Sequence, residues 1–256
     1  MPLTMHCPNT QQAEIKCQIL LDAAEQLIEE QGIISFKFSD IAKVANCSTG
    51  SVYKFFESKE DVLLCLFLRS ATSNNIPDIL DSEQSLSYQE RFLVPILTTY
   101  ETVAKSSSFM SLRSVSVNSK VWTLASCEKV DRFKLRANRF FDLIHELALD
   151  AQANGALDET PERTLLLAQM IYFQLYGQST AYESKLIDKM VEHQRENVEM
   201  ECILAIVNSF NWNEKVTVNQ YRQLRERVAR FIEKGIKSKL SCKKCLDANL
   251  KIRRRS

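Results

Sequence analysis

Apolar residues recur three and four positions apart along most of the chain, the spacing of one buried face of a helix. In the first such segment, about residues 12–31, Ile15, Ile19, Ala23, Ala24, Leu27 and Ile28 predict an inward stripe. Glu25, Glu29 and Glu30 stay in water and Gly32 ends the helix. ISFKF then turns the chain, with Phe36 and Phe38 filling a small three-helix core. In SDIAKVAN the apolar positions Ile41, Val44 and Ala45 predict a short amphipathic helix that stops at Asn46, a residue tolerant of the left-handed conformation. Cys47 is small enough to plug the corner, and the hydroxyl of Ser48 or Thr49 caps a second short helix. Two helices joined this tightly, over about residues 36–55, make a helix-turn-helix. Ser58, with Asp61 three positions on, starts a further helix that ends near Ser73.

Polar residues and Pro77 interrupt the pattern in SATSNNIPDILDSEQS. Beyond it the periodicity predicts helices over about Tyr88–Lys105, which Pro95 kinks or divides, Met110–Ser126 and Glu128–Ala153. Pro161 opens the next helix, where its missing amide costs nothing. That helix is apolar nearly all round, which places it at the centre of its domain. Gln169, Tyr172, Gln174, Tyr176 and Gln178 are polar groups it carries inside, fitting either the wall of an effector pocket or a packed helix whose side chains find partners. The last two helices are expected over about Ser184–Phe210 and Thr217–Lys239. In the second, Tyr221, Leu224, Val228, Phe231 and Ile232 make a narrow stripe like a bundle seam.

The helix-turn-helix carries the clearest chemistry. Val52 and Phe56 face inward, leaving Thr49, Gly50, Ser51, Tyr53 and Lys54 outward. Small residues at the front of a helix let it approach base edges and phosphates, and the hydroxyls and Lys54 behind them supply hydrogen bonds. The stretches ILLDAAEQLIEEQG, SDIAKVANCSTGSVYKFF and ESKEDVLL, in this order across about residues 13–70, resemble the N-terminal domain of TetR-family transcriptional regulators. The resemblance implies an all-α protein: an N-terminal three-helix DNA-binding domain followed by a larger helical effector-binding and dimerisation domain. It implies DNA contacts from Ser48, Thr49, Gly50, Ser51, Tyr53 and Lys54, and a phosphate contact from Lys59, for which a solvated Lys is the alternative. It also implies that the last two helices pair with their copies in a homodimer, through Tyr221, Leu224, Val228 and Phe231. Two positions depart from the family pattern. Lys37 stands where a capping Thr is usual, so that cap passes to Ser39 or is lost, and Thr49 replaces a common Lys or Arg.

Composition sharpens this picture. With 256 residues, 45% of them apolar, and only five Gly and five Pro, the chain suits a helical protein of two domains. The divisions expected are 13–73 for DNA binding, 74–240 for effector binding and pairing, and 241–256 as a basic tail. No run approaches the roughly eighteen apolar residues of a membrane span, and the N-terminus lacks the pattern of an export signal, so a cytoplasmic protein is expected. The net charge of +1 conceals an uneven distribution. Residues 1–73 hold six Lys or Arg against nine Asp or Glu, whereas residues 234–256 hold nine against one. DNA affinity must therefore come from a local patch in which Lys37, Lys43 and Lys54 face only Asp40.

Enzyme chemistry has no visible basis: His6, His145 and His193 lie far apart, with no nucleophile motif, phosphate-cradling loop or metal-ligand spacing. No cofactor is expected. The eight Cys are scattered thiols, and Cys242 with Cys245 is a lone C-x-x-C that offers too few ligands for zinc. The function expected is a sequence-specific repressor of a double-stranded operator, released by a small-molecule effector. The alternative is a thiol-responsive regulator or interaction module using that Cys pair.

Overall fold

The structure, a computed structural model, describes residues 7–73, 76–83, 85–105, 112, 118–190 and 192–235. Among these every regular element is helical: α1 Gln11–Gln31, α2 Phe38–Val44, α3 Thr49–Tyr53, α4 Lys59–Ser73, α5 Ile76–Ser82, α6 Tyr88–Lys105, α7 Ser119–Trp122, α8 Cys127–Ala153, α9 Pro161–Ser184, α10 Arg195–Val207 and α11 Val218–Gly235. No helix among the described residues is long and apolar enough to cross a membrane.

Local chemistry accounts for the ends. Thr10 accepts from the Ala13 N–H at the start of α1, and Gly32 ends it at φ 81° with its N–H on the Ile28 carbonyl. Thr160 accepts from the Arg163 N–H ahead of Pro161 in α9. Gly155, at φ 70°, ends α8, and the Ala156 N–H returns to the Ala151 carbonyl. Pro95 lies inside an unbroken α6.

The chain divides into two compact units. One combines Met1–Asn74 with Lys105–Ala137, and the other Asn75–Ala104 with Asn138–Gly235. The first therefore takes in a stretch expected in the second domain. Its core holds Leu20, Ala24 and Leu27 of α1, Phe36, Ile41 of α2, Val52, Phe56, and Val62 and Leu66 of α4. The expected stripe on α1 is buried at Ala23, Ala24, Leu27 and Ile28, but in its first half Ile15 and Ile19 are exposed, and Cys17, Leu20 and Leu21 point inward instead. Val44 likewise faces out, its place taken by Ala42. In both places a less apolar side chain is covered in preference to a larger one, so the packed neighbours and not local hydrophobicity make the choice.

The second unit is built on Phe92, Leu93, Ile96 and Tyr100 of α6, Ile144 and Leu147 of α8, Leu167, Ile171 and Leu175 of α9, and Ile203 and Val207 of α10. Its remaining wall is α11, and here the structure corrects the expected dimer seam. Tyr221, Leu224 and Val228 are 1%, 1% and 0% exposed in the protomer's own core, and Phe231 is half-buried against it. Tyr221, Leu224 and Val228 therefore have no surface left to offer a second copy. Ion pairs flank the stripe, Arg225 to Glu101 at 2.7 Å and Arg227 to Glu83 at 3.4 Å.

Three further expectations change. The helix expected to begin near Ser184 starts later: Lys185 adopts φ 50°, residues 185–190 are not helical, and a 3-10 turn at Glu192–Gln194 leads into α10. The interruption around Pro77 contains the short helix α5. Of the helix expected over Met110–Ser126, α7 is helical, while residues 106–111 and 113–117 lie outside the described residues, as does the tail with Cys242 and Cys245.

Candidate nucleic-acid interface

The reading head is set by a short run of backbone bonds. The Ala45 N–H closes α2 on the Ile41 carbonyl, the Cys47 N–H reaches back to Ala42 at 2.9 Å, and Asn46 between them takes φ 47°. A left-handed residue here lets the chain reverse in so few residues. Ser48 then starts α3: its Oγ accepts from the Ser51 N–H at 3.2 Å and lies 3.0 Å from the Ser51 Oγ. At the front of α2 the side-chain cap is lost, since Lys37 has no acceptor and Ser39 does not replace it. Asp40 supplies half of a capping box by accepting from the Lys37 N–H at 3.1 Å.

Val52 and Phe56 are buried, and Ser48, Thr49, Gly50, Tyr53 and Lys54 are exposed, with Ser51 half-exposed. The Tyr53 ring, 50% exposed, packs on Phe38 with centroids 4.8 Å apart, which holds its hydroxyl at the surface. Lys37 and Lys43 are exposed near the same face. Gly50 has no reason in the fold: its φ is not positive, and a Cβ there would meet only the Ser48 Oγ at 3.8 Å, an ordinary contact. Glycine within a helix costs roughly 0.5–1 kcal/mol relative to alanine. The bare surface at Gly50 is thus kept against the interest of the helix.

Lys59 has an internal task that the sequence did not reveal. Its Nζ donates to the Ile34 carbonyl at 3.0 Å and lies 5.1 Å from the centre of the Phe36 ring, bracing the turn between α1 and α2. This accounts for a cation in the first turn of α4, where the helix dipole disfavours one. An ammonium has three donors, so others remain for a phosphate.

Behind the head lies Asp61, fully buried. The Asp61 N–H bonds the Ser58 hydroxyl. Its carboxylate accepts from the Glu57 N–H at 2.9 Å, the Ser126 N–H at 2.7 Å, the Ser126 hydroxyl at 2.9 Å and the Lys129 ammonium at 3.2 Å. Burial alone would push the Lys129 pKa down, but Cys65, Asp61 and Cys7 beside it outweigh that and raise it above the ordinary value. The capping role of Asp61 was legible from Ser58; its partners sixty-five and sixty-eight residues on were not.

In the helical unit, Tyr172 and Tyr176 of α9 lie with ring centroids 4.4 Å apart, and Phe141 of α8 meets the Tyr172 ring edge-on at 5.5 Å. Gln174 donates to Gln178, whose Oε1 also receives the Tyr100 hydroxyl. Gln169 is half-buried on the same helix. The buried Nε2 atoms of Gln178, expected inside this helix, and of His145, which the sequence did not bring into the group, lack a hydrogen-bond partner among the described residues. A buried amide N–H without an acceptor costs about 1–3 kcal/mol.

A family profile for "Bacterial regulatory proteins, tetR family" matches residues 20–66. An HTH-type transcriptional regulator of Staphylococcus aureus is 28% identical over 190 residues, spanning 70% of this chain and 92% of that protein. The fatty acid metabolism regulator protein of Bacillus subtilis is 42% identical over 48 residues, which is 19% of this chain and 25% of that one. Among solved structures, a TetR-family transcriptional regulator from Mesorhizobium loti aligns with a TM-score of 0.58 at 16% identity, covering 79% of this chain and 100% of that chain. The regulator FadR from Bacillus subtilis, in complex with stearoyl-CoA, aligns with a TM-score of 0.56 at 18% identity, covering 76% and 99%.

Replacing Asp61 by Asn leaves the Lys129 ammonium buried without its carboxylate. Stability to urea should fall by about 3–5 kcal/mol, the cost of breaking a buried pair. A loss of under about 1 kcal/mol, the level of a surface ion pair, would contradict the role given to Asp61.

Proposed function

We propose that this chain, a transcriptional regulator of the TetR family, works in the cytosol as a homodimeric repressor that grips a double-stranded operator with α3 and releases it when a small effector binds. Residues 13–73 read DNA and residues 74–240 bind the effector and the second copy, with residues 241–256 as a basic tail. Ser48, Thr49, Gly50, Ser51, Tyr53 and Lys54 face the major groove, and Lys59 reaches a phosphate. The observation that carries this reading is Gly50, a glycine that the fold does not require at the front of an exposed helix of hydroxyls. A backbone that must approach base edges has use for that surface.

The pairing surface we infer is on α9 and α10. Leu166, Met170 and Phe173 recur at three-four spacing on the outer side of α9 and are 41%, 36% and 67% exposed, and Val198 on α10 is 38% exposed. A run of apolar residues left in water on a helix otherwise central to the core is what a second copy would cover.

Gln169, Tyr172, Gln174 and Tyr176, with Phe141, His145 and Gln178, suit an effector that has an apolar body and an acceptor group. Long-chain acyl-CoA meets that description, and it is the ligand type held by the Bacillus subtilis FadR structure. An effector that favours the form with the weaker grip on DNA is itself bound more weakly by the DNA-bound form, by the same factor.

Selection of bound duplexes from random sequence should yield one operator with two half-sites. On that operator Gly50→Ala should bind more weakly by about 1–3 kcal/mol while its unfolding free energy rises by about 0.5–1 kcal/mol. Unchanged affinity would remove the argument from Gly50.

Phe173→Glu should convert a dimer into a folded monomer in sedimentation, since two unpaired carboxylates in one interface cost several kcal/mol each. Val228→Glu should instead unfold the helical unit, because that side chain belongs to the protomer's own core. A dimeric Phe173→Glu protein would place the pairing surface elsewhere.

Stearoyl-CoA added to the operator complex should release the DNA and should fail to do so with Gln178→Leu, which has no N–H to offer. Release of DNA by the variant at the same ligand concentration would exclude this pocket.

A further inference from the structure

Cys7, Cys17 and Cys65 come from three places, the segment ahead of α1, α1 itself and α4. They line one small pocket of the N-terminal unit together with Glu14, Arg69, Lys129 and Arg132, of which Arg69 pairs with Asp22 and Glu25, Lys129 with Asp61 and Arg132 with Glu128. A cation beside a thiol favours the thiolate, the form that reacts with oxidants and electrophiles. Lys129 is held by Asp61 and is also within electrostatic reach of Cys65 and Cys7. Accessibility ranks the three: Cys17 and Cys65 are 4% and 8% exposed, whereas Cys7 is half-buried and is the sulfur that an oxidant from solvent meets first.

The shared pocket leaves two candidates for the resolving sulfur, Cys17 and Cys65, and the electrostatic neighbourhood of Lys129 favours one of them. A disulfide needs Cβ atoms about 3.8 Å apart. Cys7 precedes α1 and stands outside any helix, so its backbone can turn toward a partner without unwinding one. Of the two buried thiols, Cys65 shares the Lys129 ammonium with Cys7.

We propose that Cys7 and Cys65 form a modification site for hydroperoxides. The Cys7 thiolate attacks one peroxide oxygen and the O–O bond breaks. The alkoxide leaves and is protonated to the alcohol, with a sulfenic acid left on Cys7. The Cys65 thiolate attacks that sulfur, the S–O bond breaks, and hydroxide leaves as water after taking up a proton. Two thiols are oxidised to one disulfide, one hydroperoxide is reduced to an alcohol and water, and the two protons come from the thiols. Cys17, in the same pocket, lines the site without joining the bond.

The test treats the full chain with one equivalent of hydrogen peroxide at neutral pH and maps the peptides by mass spectrometry. The first product should be the Cys7–Cys65 disulfide, formed on the order of tenfold faster than exposed Cys127 is oxidised. In Cys65→Ser the reaction should stop at a Cys7 sulfenic acid that dimedone traps, and in Cys17→Ser the disulfide should form as before. Arg132→Gln should slow the first step severalfold, a readout that a purely structural arginine would not move. Oxidation of Cys127 ahead of Cys7, or a Cys7 disulfide to any other cysteine, would overturn the proposal.

Discussion

The reading head depends on one buried carboxylate. Asp61 closes the turn after α3 through the Glu57 N–H, sits in the first turn of α4, and binds the Ser126 backbone and hydroxyl and the Lys129 ammonium at the start of α8. An anion at the N-terminus of a helix is favoured by the dipole, but a fully buried one is tolerated only when it is paired and its lone pairs are filled. Here each condition is met by a different segment of the chain. The arrangement links the orientation of α4, and hence of Lys59 one turn from the head, to residues far along the sequence.

The recognition surface is economical by comparison. Its scaffold consists of a left-handed Asn46, a Ser48 cap and two inward side chains, Val52 and Phe56. What remains outside is small or hydroxylated, apart from Tyr53 resting on Phe38 and the exposed lysines around it. So few fixed charges make the interface dependent on close approach, since hydrogen bonds to bases and phosphates need donors within about 3 Å.

The helical unit shows the opposite economy. Its apolar surface is largely consumed by its own core, including the α11 stripe, and stays uncovered on α9 at Leu166, Met170 and Phe173. Its polar groups are mostly satisfied: Arg225 with Glu101 and Glu199, and Gln89 with Asn208. The exceptions include the Nε2 atoms of Gln178 and His145, beside the Tyr172 and Phe141 rings, and the Trp212 Nε1 and Tyr221 hydroxyl, which have no hydrogen-bond partner among the described residues.

The sequence by itself determined most of the helices, the corner and which side of α3 stays exposed. These follow from bonds between residues a few positions apart, such as Ser48 with Ser51 or Gly32 with Ile28, and from the three-four repeat. It also carried enough local pattern over residues 13–70 to identify the DNA-binding domain. What it could not determine was which of two apolar faces turns inward. Ile15 and Val44 are more apolar than the Cys17 and Ala42 that are buried, so the choice falls to the shape of neighbours elsewhere in the chain and not to hydrophobicity. The same limit misassigned Val228: periodicity reports that a stripe will be covered, whereas only the tertiary structure says whether the cover is the protomer's own core or another molecule. Asp61 with Lys129, and Cys7 with Cys65, are likewise products of the fold, because long-range pairs leave no spacing for a sequence to display.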